Sequence, residues 1–280
     1  MSRIFVIGNG ESRKGIDLSK LKSYGNVYGC NGLYRDFTPH GLVSVDPGIM
    51  HEIYKSGYAI NNTCYYRGWT PVPAMLYDDM LKANITNMVD IFDEEPKVIE
   101  SKKPKDSDEF VIHSTSASWQ GKLIKEKRDY KGVGSNLIYV TWLQPNDKVK
   151  SINEHMIIDT KKEDYGWSAG ATIMNIACNE EQPDEVYIIG CDLYSDTGKV
   201  NNMYKDTLHY ESSDINAVIP TNWIEQYKVN FFEFPNTDFY KVNEHPLDTD
   251  KINSKIDAWE ECINIKYMTQ AQLLDNMSKW

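Results

Sequence analysis

The chain has 280 residues, 41% hydrophobic and 25% charged, with a net charge of −11. That length can bury the core of one large α/β domain, and the acidic balance argues against a broad nucleic-acid surface, which needs clustered Lys and Arg. Five scattered cysteines (Cys30, Cys64, Cys178, Cys191 and Cys262) form no C-x-x-C pair. They predict reduced, mostly buried thiols in a cytoplasmic protein, not a disulfide frame or a zinc site. No run of about 18 apolar residues exists and no apolar signal region precedes the first strand, so neither a membrane span nor a signal peptide is expected.

Ile4 to Gly8, rich in β-branched residues, reads as a buried parallel strand that breaks into Gly8-Asn9-Gly10-Glu11-Ser12. Open α/β sheets hold nucleotides at such strand-to-turn junctions, and two glycines let a backbone come close to a phosphate. The third glycine, Gly15, falls too late for the dinucleotide fingerprint G-x-G-x-x-G. Asn26–Asn31 and Gly41–Pro47 read as further strands with polar tips, followed by a short helix over 48–55 and a strand over Tyr58–Tyr66. Residues 94–109 read as an exposed charged loop, and Phe110–His113 and Leu137–Leu143 as strands. Ser168 caps a helix running to Cys178 with small residues in its first turn, and Glu185–Asp192 is a strongly apolar strand. Residues 196–211 form a polar loop, Trp223–Lys228 a helix, Val229–Phe234 a last strand and Ile252–Leu274 a mainly helical end. The repeated pattern of strand, polar tip and connection predicts a Rossmann-like α/β/α sandwich, with ligands at the carboxyl ends of the strands.

Ile7-Gly8-Asn9-Gly10-Glu11-Ser12, Tyr28-Gly29-Cys30-Asn31, Ser168-Ala169-Gly170 and Ile189-Gly190-Cys191-Asp192-Leu193-Tyr194 occur in this order. Together with Gly15-Ile16-Asp17-Leu18-Ser19-Lys20-Leu21 they resemble the family 42 glycosyltransferases, bacterial sialyltransferases that use CMP-sialic acid. The resemblance covers roughly residues 1–50 and 165–230. It implies one nucleotide-binding domain of the GT-A-variant type over 1–280, with a lid at 195–220 and a divergent insertion at 85–165. It places Gly8, Asn9, Gly10, Ser12 and Asn31 on the CMP portion of the donor, and Ser168, Ala169 and Gly170 near donor sugar or phosphate. Gly190 and Asp192 would hold ribose or cytosine, and Tyr194 and Tyr204 the leaving phosphate. A phenol hydroxyl can stabilise that charge without a metal. His209, standing before Ser213-Asp214-Ile215-Asn216-Ala217, takes the place of the family's general base, a role that suits imidazole because it titrates near neutrality. The resemblance further implies a glycan or other hydroxyl acceptor and a homo-oligomer.

Two departures stand out. Glu11 replaces the proline of the family's turn, and Asp46-Pro47 replaces its Asn-Pro after the third strand. An ionised aspartate cannot donate the hydrogen bonds of asparagine, so Asp46 suits ribose or acceptor hydroxyls, or Mg²⁺. Archaeal pterin diphosphokinase-like proteins share a similar opening. That second resemblance implies an ATP-dependent phosphotransferase with Mg²⁺ on Asp46 and Asp192, whereas the glycosyltransferase reading requires no cofactor. Sugar transfer to modified DNA or a surface polymer, and a nucleotide-binding domain without catalysis, complete the alternatives.

Overall fold

A computed structural model describes residues 1–46, 49–50, 52–53, 56–66, 70–71, 110–114, 138–142, 148–152, 168–246 and 254–280. The expected loop at 94–109 lies outside them. The strands are β1 (Arg3–Ile7), β2 (Asn26–Cys30), β3 (Gly41–Ser44), β4 (Cys64–Tyr66), β5 (Thr70–Pro71), β6 (Phe110–Ser114), β7 (Ile138–Trp142), β8 (Val149–Ser151), β9 (Glu185–Ile189), β10 (Asp238–Asn243) and β11 (Ile265–Thr269). The helices are α1 (Leu18–Leu21), α2 (Tyr58–Asn61), α3 (Ala169–Glu181), α4 (Thr221–Glu233) and α5 (Gln270–Met277).

Contacts divide the chain into two compact units, Met1–Val43 with Met156–Trp280, and Ser44–His155. The sequence suggests one domain with an insertion at 85–165; the second unit starts far earlier, at Ser44. Within it β4 pairs with β8 in parallel, and β7 lies between a parallel β5 and an antiparallel β6.

The first unit carries a parallel sheet in the order β11-β10-β9-β1-β2-β3. The first three strands run outward from β1 one way, and β9 to β11 run outward the other way. This is a Rossmann-like doubly wound sheet, and its topological switch point falls between β1 and β9. Ile4 to Ile7 are fully buried because helices cover both faces. Phe239 and Tyr240, neighbours in β10, show this, since adjacent strand residues point to opposite faces. Phe231 of α4 meets Phe239 at 4.9 Å. On the other face Tyr240 stacks on Tyr187 at 4.9 Å, Tyr187 stacks on Phe5 at 5.4 Å, and Trp280, just beyond α5, covers Tyr187 at 5.3 Å.

Four expectations are corrected. Val229–Phe234 is not a strand: Val229 to Glu233 end α4 and Phe234 is its C-cap. A short apolar run does not distinguish the two, and here Ile224, Tyr227 and Phe231 form one buried helical stripe. Asn264 then caps that helix, its Nδ2 donating to the carbonyls of Phe231, Phe234 and Thr237 at 2.9, 3.1 and 3.2 Å. The last strands are β10 and β11, so the helical run expected over Ile252–Leu274 is interrupted by β11. Tyr58–Asn61 is one helical turn entered through Gly57 at φ 78°, and only Cys64–Tyr66 of that expected strand is extended. The third strand ends at Ser44, before Asp46. Among the described residues no helix is long and apolar enough to cross a membrane. Cys30, Cys64, Cys178 and Cys262 are buried free thiols and Cys191 is half-buried.

Candidate functional site

The site begins where β1 and β9 end. Gly8 N donates to Ile189 O at 2.8 Å and Gly10 N to Gly190 O at 2.7 Å, so the parallel ladder continues past both strands. Side chains could not fit here. A Cβ on Gly8 would stand 2.3 Å from Gly190 O, and one on Gly10 would stand 2.3 Å from Asp192 Oδ2. Gly190 itself turns the chain at φ 67°. The space that Gly8 and Gly10 leave admits the tip of β9, where the sequence suggests a phosphate.

Asp192 is locked to the turn after β1. Ser12 N donates to Asp192 Oδ2 at 2.8 Å, and Ser12 Oγ donates to Oδ1. The capped helix arrives beside the same tip. Ser168 Oγ accepts from Ala171 N at 3.4 Å, and Ser168 N donates to Gln226 Oε1 at 2.8 Å. A Cβ on Gly170 would stand 2.3 Å from the Tyr227 hydroxyl, which donates to Cys191 Sγ at 2.9 Å. The small residues at Ala169-Gly170 therefore admit Tyr227. Burial pushes the Cys191 thiol up to about 11, so it stays protonated at neutral pH.

Two asparagines frame the other side. Asn9 is 8% exposed and its Nδ2 donates to Cys30 O at 3.1 Å. Asn31 sits at the tip of β2 with φ 50°. The Oδ1 atoms of both are buried and accept no hydrogen bond among the described residues. A buried acceptor with no donor is costly, and such atoms mark places where a ligand or water completes the bonding. Tyr210 joins the two sides: its hydroxyl accepts from Gly32 N at 2.7 Å and from Asn9 Nδ2 at 3.5 Å.

The 195–220 segment lies across these tips. Met203 N donates to Asn9 O at 2.7 Å and Glu11 N to Asn201 Oδ1 at 2.8 Å. Tyr204 is buried, its hydroxyl donating to Asp36 Oδ1 at 2.7 Å and accepting from the Arg13 guanidinium at 2.8 Å. Burial and Asp36 hold this phenol far above its ordinary range. Glu11 is turned into ion pairs with Lys14 and with Lys205, the latter at 2.9 Å. Burial works to raise its pKa, but hydrogen bonds and charge from the two lysines hold it below the usual carboxylate value. Tyr194 is half-buried two residues beyond Asp192, and His209 is half-buried next to Tyr210 with φ 64°. Asp46 is exposed and belongs to the second unit.

A pocket of about 120 Å³ opens beside Asp192, lined by Ser12, Asn201, Lys241, Asn243, His245 and Ser254 among others. Lys241 is 3% exposed, and its ammonium donates to Asn243 Oδ1 at 2.6 Å. Burial lowers its pKa and the nearby Asp192 carboxylate raises it. Among the described residues no three His, Cys, Asp or Glu side chains gather as a cation site.

No protein-family model matches the chain, and no curated protein matches it. One solved structure is similar at low likeness, the sialyltransferase CstII from Campylobacter jejuni in complex with the substrate analogue CMP-3FNeuAc. The TM-score is 0.39 and the identity 14%, over 100% of this chain and 99% of that one.

The structure thus brings together Gly8, Asn9, Gly10, Ser12, Asn31, Ser168, Gly170, Gly190 and Asp192 at one end of one sheet. It also adds Arg13, Arg35, Tyr210, Gln226, Lys241 and Asn243. Lys241 carries a legible signal, a cation inside the extended run Phe239-Tyr240-Lys241-Val242. It went unseen because Val229–Phe234 took the place of the last strand. His40 lies just before β3: its Nδ1 accepts from Val27 N at 2.9 Å, and burial and then Lys22 hold its pKa down. It is a neutral brace at the start of β3.

Proposed function

We propose that the chain is a glycosyltransferase that takes a nucleotide-sugar donor, a CMP-sugar of the sialic acid type, at the tips of β1 and β2, beside the switch point. The observation that carries this reading is the pair of buried, unpaired amide oxygens, Asn9 Oδ1 and Asn31 Oδ1, at adjacent strand tips. Amide oxygens accept from the amino group of a base or from sugar hydroxyls, which are the groups a nucleotide sugar offers. The four sequence blocks support the same reading, because their residues converge on one end of the sheet.

In this mechanism the donor lies along the tips of β1 and β2, and the 195–220 segment acts as the lid. His209 takes the proton of an acceptor hydroxyl as it attacks the anomeric carbon, and the nucleotide leaves with the bonding pair. Tyr194 meets the departing phosphate in this reading, and the Tyr204 hydroxyl, engaged by Arg13 and Asp36, braces the lid. Enclosure by the lid keeps water from hydrolysing the donor.

The test is a thermal-shift panel of CMP, a CMP-sugar, a UDP-sugar and ATP with Mg²⁺, each with and without chelator, followed by product analysis. A ligand that binds only the folded chain raises its melting point. Stabilisation by CMP and its sugar, insensitive to chelator and lost in Asn31→Ala, is the expected result. Stabilisation by ATP alone, abolished by chelator, would replace this reading with phosphotransfer through Mg²⁺.

A further inference from the structure

Arg35 ends the short 3₁₀ turn Asn31–Arg35 that follows β2. Its guanidinium donates to Thr207 Oγ1 at 2.7 Å and to Leu208 O at 2.9 Å. It also lies over the rings of Tyr204 at 5.4 Å and Tyr210 at 5.2 Å. One cation therefore grips residues 204 to 210 by two hydrogen bonds and two aromatic faces. Leu208 O belongs to the peptide whose nitrogen is that of His209, so the bond from Arg35 orients the plane from which His209 departs.

His209 stands at φ 64°, and Asp206 in the same loop stands at φ 65°. A non-glycine residue in the left-handed region is strained and keeps that shape only where its surroundings impose it. Around Asp206 the chain supplies its own restraints, with Ser213 N donating to Asp206 Oδ1 at 2.8 Å and Asp206 N to Glu211 O at 3.1 Å. At His209 the loop closes its own turn, Tyr210 N donating to Thr207 O at 3.1 Å, and Arg35, outside the loop, adds a hold on the preceding peptide through Leu208 O.

We infer that Arg35 is a positioning residue for His209, coupling the donor-binding tip of β2 to the base above it. The coupling is short. Asn31 and Arg35 are the first and last residues of one turn, and four steps of 3₁₀ rise separate them by about 8 Å. Whatever settles Asn31 on a donor also sets the anchor of His209. This rests on the glycosyltransferase reading for its catalytic consequence, but the positioning itself does not.

The experiment uses Arg35→Met and Arg35→Lys in the full chain, each alone and combined with His209→Ala. Two readouts are taken: the His209 ring signals by NMR, assigned through His209→Ala, and steady-state transfer from the CMP-sugar. The expected result is a displaced His209 ring signal in Arg35→Met, partly restored in Arg35→Lys. Transfer should fall ~10-fold to ~100-fold in kcat with KM for the donor unchanged. In the His209→Ala background Arg35→Met should cost nothing further, because residues that act as a unit are not additive. An unmoved ring signal in a folded Arg35→Met protein overturns the inference. So does an equal loss of transfer with and without His209, which marks general damage to the loop. A parent chain with no transfer activity overturns the glycosyltransferase reading, and the NMR signal then decides the positioning of His209 on its own.

Discussion

Gly10 and Asp192 lie so close that a Cβ on Gly10 would stand 2.4 Å from the Asp192 carboxyl carbon. The contact sits at the switch point of the sheet, and the same Asp192 holds Ser12 through both oxygens. The glycine-rich turn is therefore the lock between two strand tips, and ligand chemistry has to be found beside it, at Asn9 and Asn31.

Gly10→Ala should consequently destabilise the fold. The added methyl must push Asp192 away from Ser12, an overpacking cost of about 1–3 kcal/mol. Urea melts should show a lower midpoint with an unchanged slope. An unaltered midpoint would mean that the turn yields freely.

Gln226→Leu should destabilise by about 1–3 kcal/mol, because it strands the buried Ser168 N–H at the start of α3. Asn230 keeps its bonds, since its Nδ2 donates to the backbone carbonyls Gln226 O within α4 and Ala171 O in α3, so the loss is confined to Ser168. The same melts, with hydrogen exchange at Ser168, check it.

His209→Ala should leave CMP stabilisation in place and cut transfer by ~100-fold to ~10,000-fold, the usual worth of a general base. The comparison is a thermal shift against a single-turnover rate. Equal rates in variant and parent would remove His209 from the mechanism.

Acid should loosen the 195–220 segment. Glu11 has a folded pKa below its ordinary value of 4.5, so its pairing with Lys205 contributes stability that is present above pH 4.5. That contribution is lost as pH falls through the lower folded value. Hydrogen exchange of Met203 N, measured at constant intrinsic rate from pH 6 downward, should rise in this acid range. Lys205→Met should raise it already at pH 6. The effect is small, under about 1 kcal/mol, because the pair is partly solvated.

Much of the fold was legible in local sequence. β1, β2, β9 and the Ser168 cap announce themselves through apolar β-branched runs and a single hydroxyl residue before a helix. These signals are local because an apolar run and a hydroxyl before a helix are patterns among neighbouring residues. The α4 stripe was not legible as such, because Val229–Phe234 is short and apolar, and its helical state depends on Trp259 and the Asn264 cap, both distant in sequence. β11 was hidden for the same reason, since its partner β10 supplies its hydrogen bonds.

The candidate site divides along the same line. Its residue types at Gly8–Ser12, Asn31, Ser168–Gly170, Gly190–Asp192 and His209 were written in the chain, because special turns and polar strand tips leave a compositional mark. What fills the glycine gaps, which amide oxygens remain unpaired, and how Arg13, Arg35 and Gln226 hold the surrounding loops were decided only by tertiary structure. Each depends on a distance between residues tens to hundreds of positions apart, and such distances are set by sheet order and helix packing rather than by any local pattern.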